Sequence, residues 1–308
     1  MSAPYLQPVL GRFSGAFAER NIELVVPSVR ERLTEESLLS LVGDIDGAIC
    51  GDDPFTKRVL AAAPRLKVIA KWGTGTDSID LEACGQRGIV VRNTPHAFDE
   101  AVADTVLGYI LSFARRHPEM NRDVHAGRWQ KLPAVALREA VLGVIGVGNI
   151  GKTVVRRATA FGMAVLGNDP VSMTAEFVVE TGIEMVTRDE LLRRADFVSL
   201  NCDLNPTSYH LLREESFAVM KPTAIVINTA RGAVIDESAL IAALRAGCIA
   251  GAALDVFEVE PLPPDSPLLR MENVLLAPHN ANSSLSAWEA VHEKTVRSLF
   301  EELEAHAR

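Results

Sequence analysis

The chain has 308 residues, with 31 Lys and Arg against 40 Asp and Glu, and therefore a formal net charge of −9 at pH 7. This acidic balance, without a basic block to neutralise phosphates, argues against nucleic-acid binding as the main activity. No apolar run reaches the roughly 18 residues of a membrane span, and the N-terminus lacks the pattern of a secretory signal. Four scattered cysteines without a C-x-x-C pair predict reduced thiols in a cytoplasmic protein, with neither a disulfide framework nor a metal site.

Short apolar runs alternate with helix-length amphipathic segments along the chain. The first group of predicted strands is Ile22–Val26, Gly47–Cys50, Leu66–Ala70 and Ile89–Val91. The second group is Val141–Ile145, Ala164–Leu166, Ile183–Val186, Phe197–Leu200, Ala224–Ile227, Ile249–Leu254 and Val274–Ala277. Strands separated by helices in this way predict parallel sheets built from βαβ units, so the expected fold class is α/β.

Two long helical patterns organise the chain. Asp99–Arg116 leads from the first group of strands into the second, and Leu285–Ala305 follows the last strand. Because no strand follows it, the last helix can return to the first group, which makes the second group an insertion. We predict two doubly wound parallel-sheet domains: a Rossmann domain at residues 99–282, inserted in a flavodoxin-like domain made of residues 1–98 and 283–308.

A glycine-rich motif, Gly146–Gly151, follows the predicted strand Val141–Ile145 and opens the predicted helix Lys152–Phe161. The first glycine permits a tight turn, the second lets the backbone approach a pyrophosphate, and the third allows close packing of helix on strand. The helix N-terminus then offers N–H groups to the phosphates. The candidate cofactor contacts here are Gly146, Gly148, Asn149, Ile150 and Gly151.

Asp169 follows the next predicted strand. A carboxylate at this point can accept hydrogen bonds from both ribose hydroxyls of NAD, and it would repel the 2′-phosphate of NADP. The following residue, Pro170, supplies no compensating cation. The sequence therefore predicts NAD as the cofactor.

Three strands of the second group lead to polar residues: Arg231, Glu260 and His279. Ligands of open α/β sheets bind beyond the carboxyl ends of the strands, so we expect the three side chains to converge on one crevice. Beside a nicotinamide, this set suits hydride transfer to or from an alcohol. Arg231 would hold a substrate carboxylate, and His279 would exchange the hydroxyl proton. Glu260 would orient the imidazole and raise the pKa of His279.

With these residues in place, the chain resembles the D-isomer-specific 2-hydroxyacid dehydrogenases, a family that includes D-3-phosphoglycerate dehydrogenase and hydroxypyruvate or glyoxylate reductases. The matching stretches follow the family's order and extend over most of the chain. They are Trp72–Asp77, Asn93–Pro95, Gly143–Gly151, Asn228–Gly232, Leu254–Pro261 and Ala277–His279. The resemblance implies an NAD-dependent enzyme that acts on a small 2-hydroxy or 2-keto acid, and a homodimer whose domains close over the ligand.

The resemblance also implies further site residues. Glu260, rather than Glu258, would partner His279, and Asp255 would contact the nicotinamide carboxamide. The backbone at Thr74 and Gly75 would bind the substrate carboxylate, as an amide nest in a glycine-rich turn. The implied substrate-binding loop is Trp72, Gly73, Thr74 and Gly75. The additional implied cofactor contacts are Asn201, Cys202, Asp203, Thr229 and Ala230.

The sequence departs from the family at several positions. Asn201 and Asp203 stand where the family usually has His and Pro, and both would tune contacts along the cofactor. Asn282 falls where the family prefers a small residue near the nicotinamide. Ser2–Tyr5 opens close to where the family's first strand should end, so we expect that strand to be short or the true start to lie upstream.

One departure bears on the substrate. Phosphoglycerate dehydrogenases carry an Arg in the loop after the strand that here ends at Cys50, and that Arg meets the substrate phosphate. The loop here contains Asp52 and Asp53, which would disfavour a dianionic phosphate if they faced the cleft, although Lys57 or Lys71 could compensate. We therefore favour an unphosphorylated acid of the hydroxypyruvate or glyoxylate type and keep D-3-phosphoglycerate as the alternative.

Alternative hypotheses for the function require different residues at the three catalytic positions. A non-catalytic NAD sensor would have lost Arg231, Glu260 or His279, and all three are present. A formate enzyme would carry glutamine in place of Glu260. A phosphite dehydrogenase keeps the same three residues and stays open.

The remaining notable residues have simpler interpretations. Cys202 lacks a neighbouring base and is expected to be a small buried filler. Trp72 either shapes the substrate pocket or packs beside a strand end, and His96 is expected to make a structural hydrogen bond. Five histidines are expected to be surface or capping residues: His117, His125, His210, His292 and His306.

Overall fold

Two parallel sheets and the helices around them form the structure. A computed structural model describes residues 1–307, and these residues form ten strands and twelve α-helices. The chain divides into two compact units: Met1–Phe98 with the chain from Ser284 onward, and Asp99–Ser283. The strand pairs within the described residues are all parallel, so the predicted α/β class is confirmed.

The elements follow one another in this order. The strands are β1 (Gly47–Cys50), β2 (Val68–Lys71), β3 (Val90–Arg92), β4 (Val141–Ile145), β5 (Ala164–Asn168), β6 (Glu184–Met185), β7 (Phe197–Leu200), β8 (Ile225–Asn228), β9 (Gly251–Leu254) and β10 (Val274–Leu276). The helices are α1 (Ser14–Glu19), α2 (Glu35–Leu39), α3 (Lys57–Ala61), α4 (Leu81–Gln86), α5 (Asp99–Ala114), α6 (His117–His125), α7 (Asn149–Ala160), α8 (Ala175–Thr181), α9 (Arg188–Arg194), α10 (Glu214–Val219), α11 (Glu237–Ala246) and α12 (Leu285–Ala307).

The first unit is built on a three-stranded sheet with the spatial order β1-β2-β3. The central strand β2 is buried along its whole length. Helix α12 packs on this sheet, and Gly47 permits the close approach, because a Cβ there would lie 2.8 Å from Cδ1 of Leu299. Phe55, Val59 and Leu60, from α3 and the segment before it, fill the core of the unit.

The predicted strand Ile22–Val26 does not form, so that prediction was wrong. A strand needs a neighbour that exchanges backbone hydrogen bonds with it, and this segment pairs with no strand of the described chain. The Ile22 N–H instead donates to the Phe17 carbonyl, and the Val25 carbonyl accepts from the Met1 ammonium at 2.9 Å. A cavity of about 570 Å³ lies between the segment and β1.

The second unit contains a seven-stranded sheet with the spatial order β10-β9-β8-β7-β4-β5-β6. The order reverses at β4, which pairs with β5 on one side and β7 on the other. Ligands of open α/β sheets bind beyond the carboxyl ends of the strands at such a reversal. Strands β7, β8 and β9 are buried throughout, as expected for a sheet covered on both faces. The doubly wound arrangement predicted for the second group of strands is thus present.

Several element boundaries differ from the predicted ones. Helix α5 ends at Ala114, because Arg116 takes a left-handed conformation (φ +53°) where α6 begins. The predicted strand Ile183–Val186 shortens to β6, and the helix predicted to begin at Lys152 begins at Asn149. Within residues 1–307, no helix combines the length and apolar character needed to cross a membrane.

Candidate active site

The turn between β4 and α7 is formed by backbone in close contact. Gly146 has a left-handed φ of +86°, and a Cβ there would lie 2.6 Å from the backbone nitrogen of Cys202. A Cβ on Gly151 would overlap the carbonyl of Gly146. Neither glycine can therefore be replaced without moving the turn. Gly148 caps α7 without a side-chain hydrogen bond, and a Cβ there would contact nothing within 4 Å.

The N-terminus of α7 fits a dinucleotide pyrophosphate. The first N–H groups of a helix have no acceptor within it, and here they belong to Asn149, Ile150 and Gly151. The open space at Gly148 lets a ligand approach the backbone, and the positive end of the helix dipole favours an anion.

The side chain of Asp169 is fixed beside the same turn. Its Oδ2 accepts from the Val147 N–H and its Oδ1 from the Val171 N–H, both at 2.7 Å. An ionised carboxylate has about four acceptor sites, so two backbone bonds leave capacity for two ribose hydroxyls. Asp169 therefore fits the ribose of NAD at the end of β5.

The backbone of the segment after β7 lies against the glycine turn. The Asn201 N–H donates to the Ile145 carbonyl, and its side-chain amide donates to the Ser199 carbonyl at 3.2 Å. Cys202 is half-buried, and burial raises the pKa of its thiol to about 11, so the thiol stays neutral at physiological pH. The Asp203 carbonyl accepts from the Ser208 hydroxyl at 2.5 Å.

The loop after β8 carries Thr229, Ala230 and Arg231. Asn228 holds this loop from both sides: its Oδ1 accepts from the Ala230 N–H at 3.0 Å, and its Nδ2 donates to the Arg231 carbonyl at 2.9 Å. Nη1 of Arg231 donates to the Ala230 carbonyl at 2.9 Å. The Thr229 hydroxyl is buried and has no hydrogen-bond partner among the described residues, so it fits a bound ligand.

Asp255, at the end of β9, has a structural role that sequence reasoning did not find. Its two carboxylate oxygens accept from the N–H groups of Asn280 and Ala281, both at 2.8 Å, and its carbonyl accepts from the His279 N–H at 2.7 Å. Burial raises the pKa of Asp255, and the two backbone hydrogen bonds oppose this rise. Asp255 thus fixes the turn that presents His279.

Glu260 and His279 form a direct pair. Nδ1 of His279 lies 2.9 Å from Oε2 of Glu260, while Oε1 of Glu260 accepts from the Phe257 N–H at 3.0 Å. Beside a carboxylate, Nδ1 carries the proton and donates it. His279 itself has a left-handed φ of +50°, held by the turn that Asp255 fixes. The ring is about 29% exposed, so it is open to a ligand.

The three catalytic candidates follow neighbouring strands. Strands β8, β9 and β10 pair in that order, and Arg231, Glu260 and His279 come after their carboxyl ends. Gly232 lies directly against the backbone of Phe257 and Glu258, since a Cβ on Gly232 would overlap the Phe257 carbonyl. The loop of Arg231 and the loop of Glu260 are therefore packed together.

In the first unit, the loop of Trp72, Gly73, Thr74 and Gly75 continues from β2. Gly73 has a φ of +122° and its carbonyl accepts from the Thr94 N–H at 3.0 Å. The Thr74 hydroxyl donates to the Thr94 carbonyl at 3.2 Å, and Asn93 donates to the Thr74 carbonyl at 2.6 Å. The segment 93–94 thus stabilises the loop by these hydrogen bonds. Trp72 is 5% exposed and packs among aromatic rings, which favours the packing interpretation.

Asp53 does not meet the condition under which the two loop carboxylates would disfavour a phosphate, because it does not face a cleft. Asp53 is buried, and its carboxylate accepts from the Leu33 N–H, the Ser2 hydroxyl and the Gly51 N–H at 2.6, 2.7 and 3.0 Å. Burial raises the pKa of Asp53, and these hydrogen bonds oppose the rise. Asp52 pairs with the buried Lys71 at 3.1 Å, so its charge is balanced locally.

The prediction of a surface or capping position was wrong for His292, and His210 also has a specific partner. His292 is 3% exposed, and its Nδ1 accepts from Nε1–H of Trp72 at 3.0 Å. Nε2 of His210 lies 2.7 Å from Oε1 of Glu258. Neither partner is near in sequence, so no local pattern indicated these contacts.

Comparisons with known proteins agree with this geometry. Residues 107–281 match the family described as D-isomer specific 2-hydroxyacid dehydrogenase, NAD binding domain. A glyoxylate reductase of Korarchaeum cryptofilum is 43% identical over 254 residues, which cover 80% of this chain and 76% of that protein. A D-3-phosphoglycerate dehydrogenase of Methanocaldococcus jannaschii is 42% identical over 262 residues, which cover 84% of this chain and 50% of that protein. The crystal structure of a D-lactate dehydrogenase of Aquifex aeolicus, complexed with NAD and lactic acid, matches with a TM-score of 0.84 at 29% identity and covers 96% of this chain and 93% of that one.

The parallel sheet, its glycine turn and the acidic residue after β5 define a class of protein, the NAD-binding oxidoreductases with a Rossmann domain. Within that class, the chain belongs to the D-isomer-specific 2-hydroxyacid dehydrogenase family and is an NAD-dependent enzyme of that family. The resemblance found in the sequence motifs is confirmed.

Proposed function

We propose that the protein transfers a hydride between NAD and C2 of a small, unphosphorylated D-2-hydroxy acid or its 2-keto acid, of the glyoxylate or hydroxypyruvate type. One observation carries the proposal: Nδ1 of His279 lies 2.9 Å from Oε2 of Glu260. The pair follows the carboxyl ends of strands in the same sheet that bears the glycine turn. An imidazole held by a carboxylate supplies the proton exchange that hydride transfer at an alcohol carbon requires.

His279 acts as the acid and the base. In reduction its ring donates the proton that the C2 oxygen takes up, and in oxidation the ring accepts the hydroxyl proton. The bound nicotinamide supplies or takes the hydride. Because Nδ1–H donates to Glu260, the nitrogen that exchanges the proton with substrate is Nε2. Glu260 therefore fixes the tautomer, orients the ring and favours its protonated form.

Arg231 binds the substrate carboxylate and polarises the C2 oxygen. Its planar guanidinium can form two parallel hydrogen bonds with a carboxylate. Asn228 and the contact at Gly232 hold the Arg231 loop, so the side chain starts from a fixed backbone. In the first unit, the N–H groups of Thr74 and Gly75 are a second proposed contact for the substrate carboxylate.

The cofactor contacts are proposed on the geometry of the second unit. The N–H groups at the start of α7 bind the pyrophosphate, Asp169 binds the adenosine ribose, and the buried Thr229 hydroxyl gains a partner when NAD binds. The remaining proposed contacts line the cofactor: Asn201, Cys202, Asp203, Ala230 and Asp255.

The choice of an unphosphorylated acid rests on two observations. The relatives described above include a glyoxylate reductase that is 43% identical to this chain. In the first unit, Lys71, which directly precedes the substrate loop, is 3% exposed and pairs with Asp52. A lysine engaged in this way is not available to a substrate phosphate.

The test is NADH oxidation, followed by absorbance, with a panel of 2-keto acids: glyoxylate, hydroxypyruvate, phosphohydroxypyruvate, pyruvate and 2-ketobutyrate. Each assay is repeated with NADPH. We expect turnover of glyoxylate or hydroxypyruvate with NADH. Turnover of phosphohydroxypyruvate alone would contradict the proposed substrate and favour D-3-phosphoglycerate as the product. No turnover with bound NADH would favour phosphite oxidation or a sensor.

We further propose that the protein is a cytoplasmic homodimer. The four cysteines are free thiols, as in a reducing compartment. One stretch of the second unit exposes Val124, Trp129 and Val135, with Trp129 91% exposed, and such apolar exposure is typical of protein contacts. Light scattering after size exclusion, with Trp129→Ser beside the unchanged chain, tests the assembly. Monomers at all concentrations would contradict it.

A further inference from the structure

A second imidazole–carboxylate contact lies beside the catalytic pair. Nε2 of His210 is 2.7 Å from Oε1 of Glu258, in the same unit as His279 and Glu260. His210 has a left-handed φ of +48°, and the ring of Tyr209 stacks on it with centroids 4.0 Å apart and 17° between the planes. The imidazole is thus fixed by both its backbone and its neighbour.

His210 connects the two loops that carry the catalytic candidates. Its side chain bonds to Glu258, in the loop of Glu260, while its backbone N–H donates to the Ala233 carbonyl at 2.8 Å, in the segment that follows Arg231. His210 therefore forms hydrogen bonds with both loops.

Glu258 is also held from a third side, by the start of α11. Its Oε1 accepts from the Glu237 N–H at 3.3 Å, and Oε2 of Glu237 accepts from the Glu258 N–H at 3.3 Å. These two bonds fix the Glu258 backbone as well as its side chain. Because burial raises the pKa of Glu237, the charge on this side of Glu258 is reduced at acidic pH.

Glu258 and Glu260 lie on one short, hydrogen-bonded stretch of backbone. Only Val259 separates them, and Oε1 of Glu260 accepts from the N–H of Phe257, the residue just before Glu258. Gly232 packs on the same Phe257–Glu258 backbone. The Glu258 backbone is therefore the common support of Glu260 and of the Arg231 loop.

We infer that His210 and Glu258 form a positioning pair that fixes Glu260, and through it His279, in the geometry needed for proton transfer. The inference rests on the proposed function, in which the Glu260–His279 pair handles the proton. Neither His210 nor Glu258 contacts the reacting atoms in this account. Their effect is on the alignment of Glu260.

The test compares two substitutions at the same backbone position. His210→Gln can place an amide nitrogen close to where Nε2 lies and keep the bond to Glu258, whereas His210→Leu cannot. Both carry the same backbone strain at φ +48°, so their difference measures the hydrogen bond. His125→Leu, on an exposed helix end, is the matched control.

We expect His210→Leu to lower kcat for 2-keto acid reduction about tenfold, since small misplacement of a catalytic group costs this much or more. NADH affinity stays within about twofold, because the glycine turn is unchanged, and His210→Gln keeps more than about half of the activity. In His210→Leu the reduction rate also begins to fall at lower pH, because Glu260 no longer favours the protonated ring. A global loss of stability would not move that pH.

Nitrogen-15 NMR of the His279 ring separates this inference from the proposed function. We expect the Nδ1–H signal of His279 to change in His210→Leu and to persist in His210→Gln, whatever the substrate. If the unchanged protein reduces no 2-keto acid, the proposed function fails while this readout still tests the positioning pair. Should His210→Leu not fold, Glu258→Gln and Glu258→Ala replace it with the same readouts. Unchanged kcat, pH profile and ring signal in a folded variant, or equal loss in both His210 variants, would overturn the inference.

Discussion

The carboxylate of Glu260 lies 2.9 Å from Nδ1 of His279, although 19 positions separate the two residues in sequence. The contact arises because β9 and β10 are neighbouring strands and because Asp255 fixes the turn that presents the imidazole. The fold, rather than a local motif, therefore creates the contact between Glu260 and His279.

Replacing Glu260 by glutamine removes the charge but keeps the shape of the side chain. A neutral amide no longer favours the protonated imidazole, so the pH above which reduction slows should move down. The measurement is kcat/KM for reduction from pH 5 to 9, with the exposed Glu301→Gln as control. A profile that coincides with that of the unchanged protein would contradict the role of Glu260.

Asp169→Ala tests the preference for NAD. Loss of a charged acceptor costs about 1.5–3 kcal/mol, so the Kd of NADH should rise at least about tenfold, and the gap to NADPH should narrow. Fluorescence titration with both cofactors measures this, with the exposed Asp189→Ala as control. If the NADH to NADPH ratio is unchanged, Asp169 does not contact the ribose.

The glycine turn offers a matched pair of substitutions. Gly146→Ala places a Cβ 2.6 Å from the Cys202 backbone at a φ of +86°, so it should cost about 1–3 kcal/mol of unfolding free energy and weaken NADH binding. Gly148→Ala meets nothing within 4 Å, so it should keep the stability and lose affinity only. Chemical unfolding and NADH titration of both variants check this. Unchanged stability in Gly146→Ala, or unchanged NADH affinity in Gly148→Ala, would contradict the roles assigned to the two glycines.

His292 makes the stability of the first unit dependent on pH. Burial lowers its pKa from the ordinary value of 6.5, and its Nδ1 must stay unprotonated to accept from Trp72. The unfolded chain therefore binds more protons than the folded one as the pH falls through 6.5, and the folded state loses stability. We expect the unfolding free energy to fall between pH 7.5 and pH 5.5, and to fall less in His292→Gln, which keeps an acceptor but does not titrate. Equal losses in both proteins would refute this.

The central strands of the second unit, β7, β8 and β9, could be predicted because each is a largely apolar run buried along its whole length, a pattern that needs no knowledge of the partner strand. Ile22–Val26 is also mostly apolar, yet it is not a strand, since strand formation depends on a neighbouring strand and this segment has none within the described residues. The end of α5 depends on the left-handed backbone conformation of one residue, Arg116, and hydrophobic periodicity does not predict such a conformation.

The candidate site could be predicted because polar residues after neighbouring parallel strands meet at one edge of the sheet. This principle led to Arg231, Glu260 and His279 as the catalytic candidates. It could not find the contacts of Asp53 with Ser2, or of His292 with Trp72, whose partners lie 51 and 220 positions away. The bonds of a buried polar residue depend on the tertiary fold.

In the proposed function, His279 transfers the proton during NADH-dependent reduction. The most direct measurement is kcat of His279→Ala on the best 2-keto acid of the panel, together with the Kd of NADH. We predict a loss of about 10² to 10⁴ in kcat with NADH still bound, the usual contribution of a general acid. Turnover comparable to that of the unchanged protein would contradict the assignment of His279.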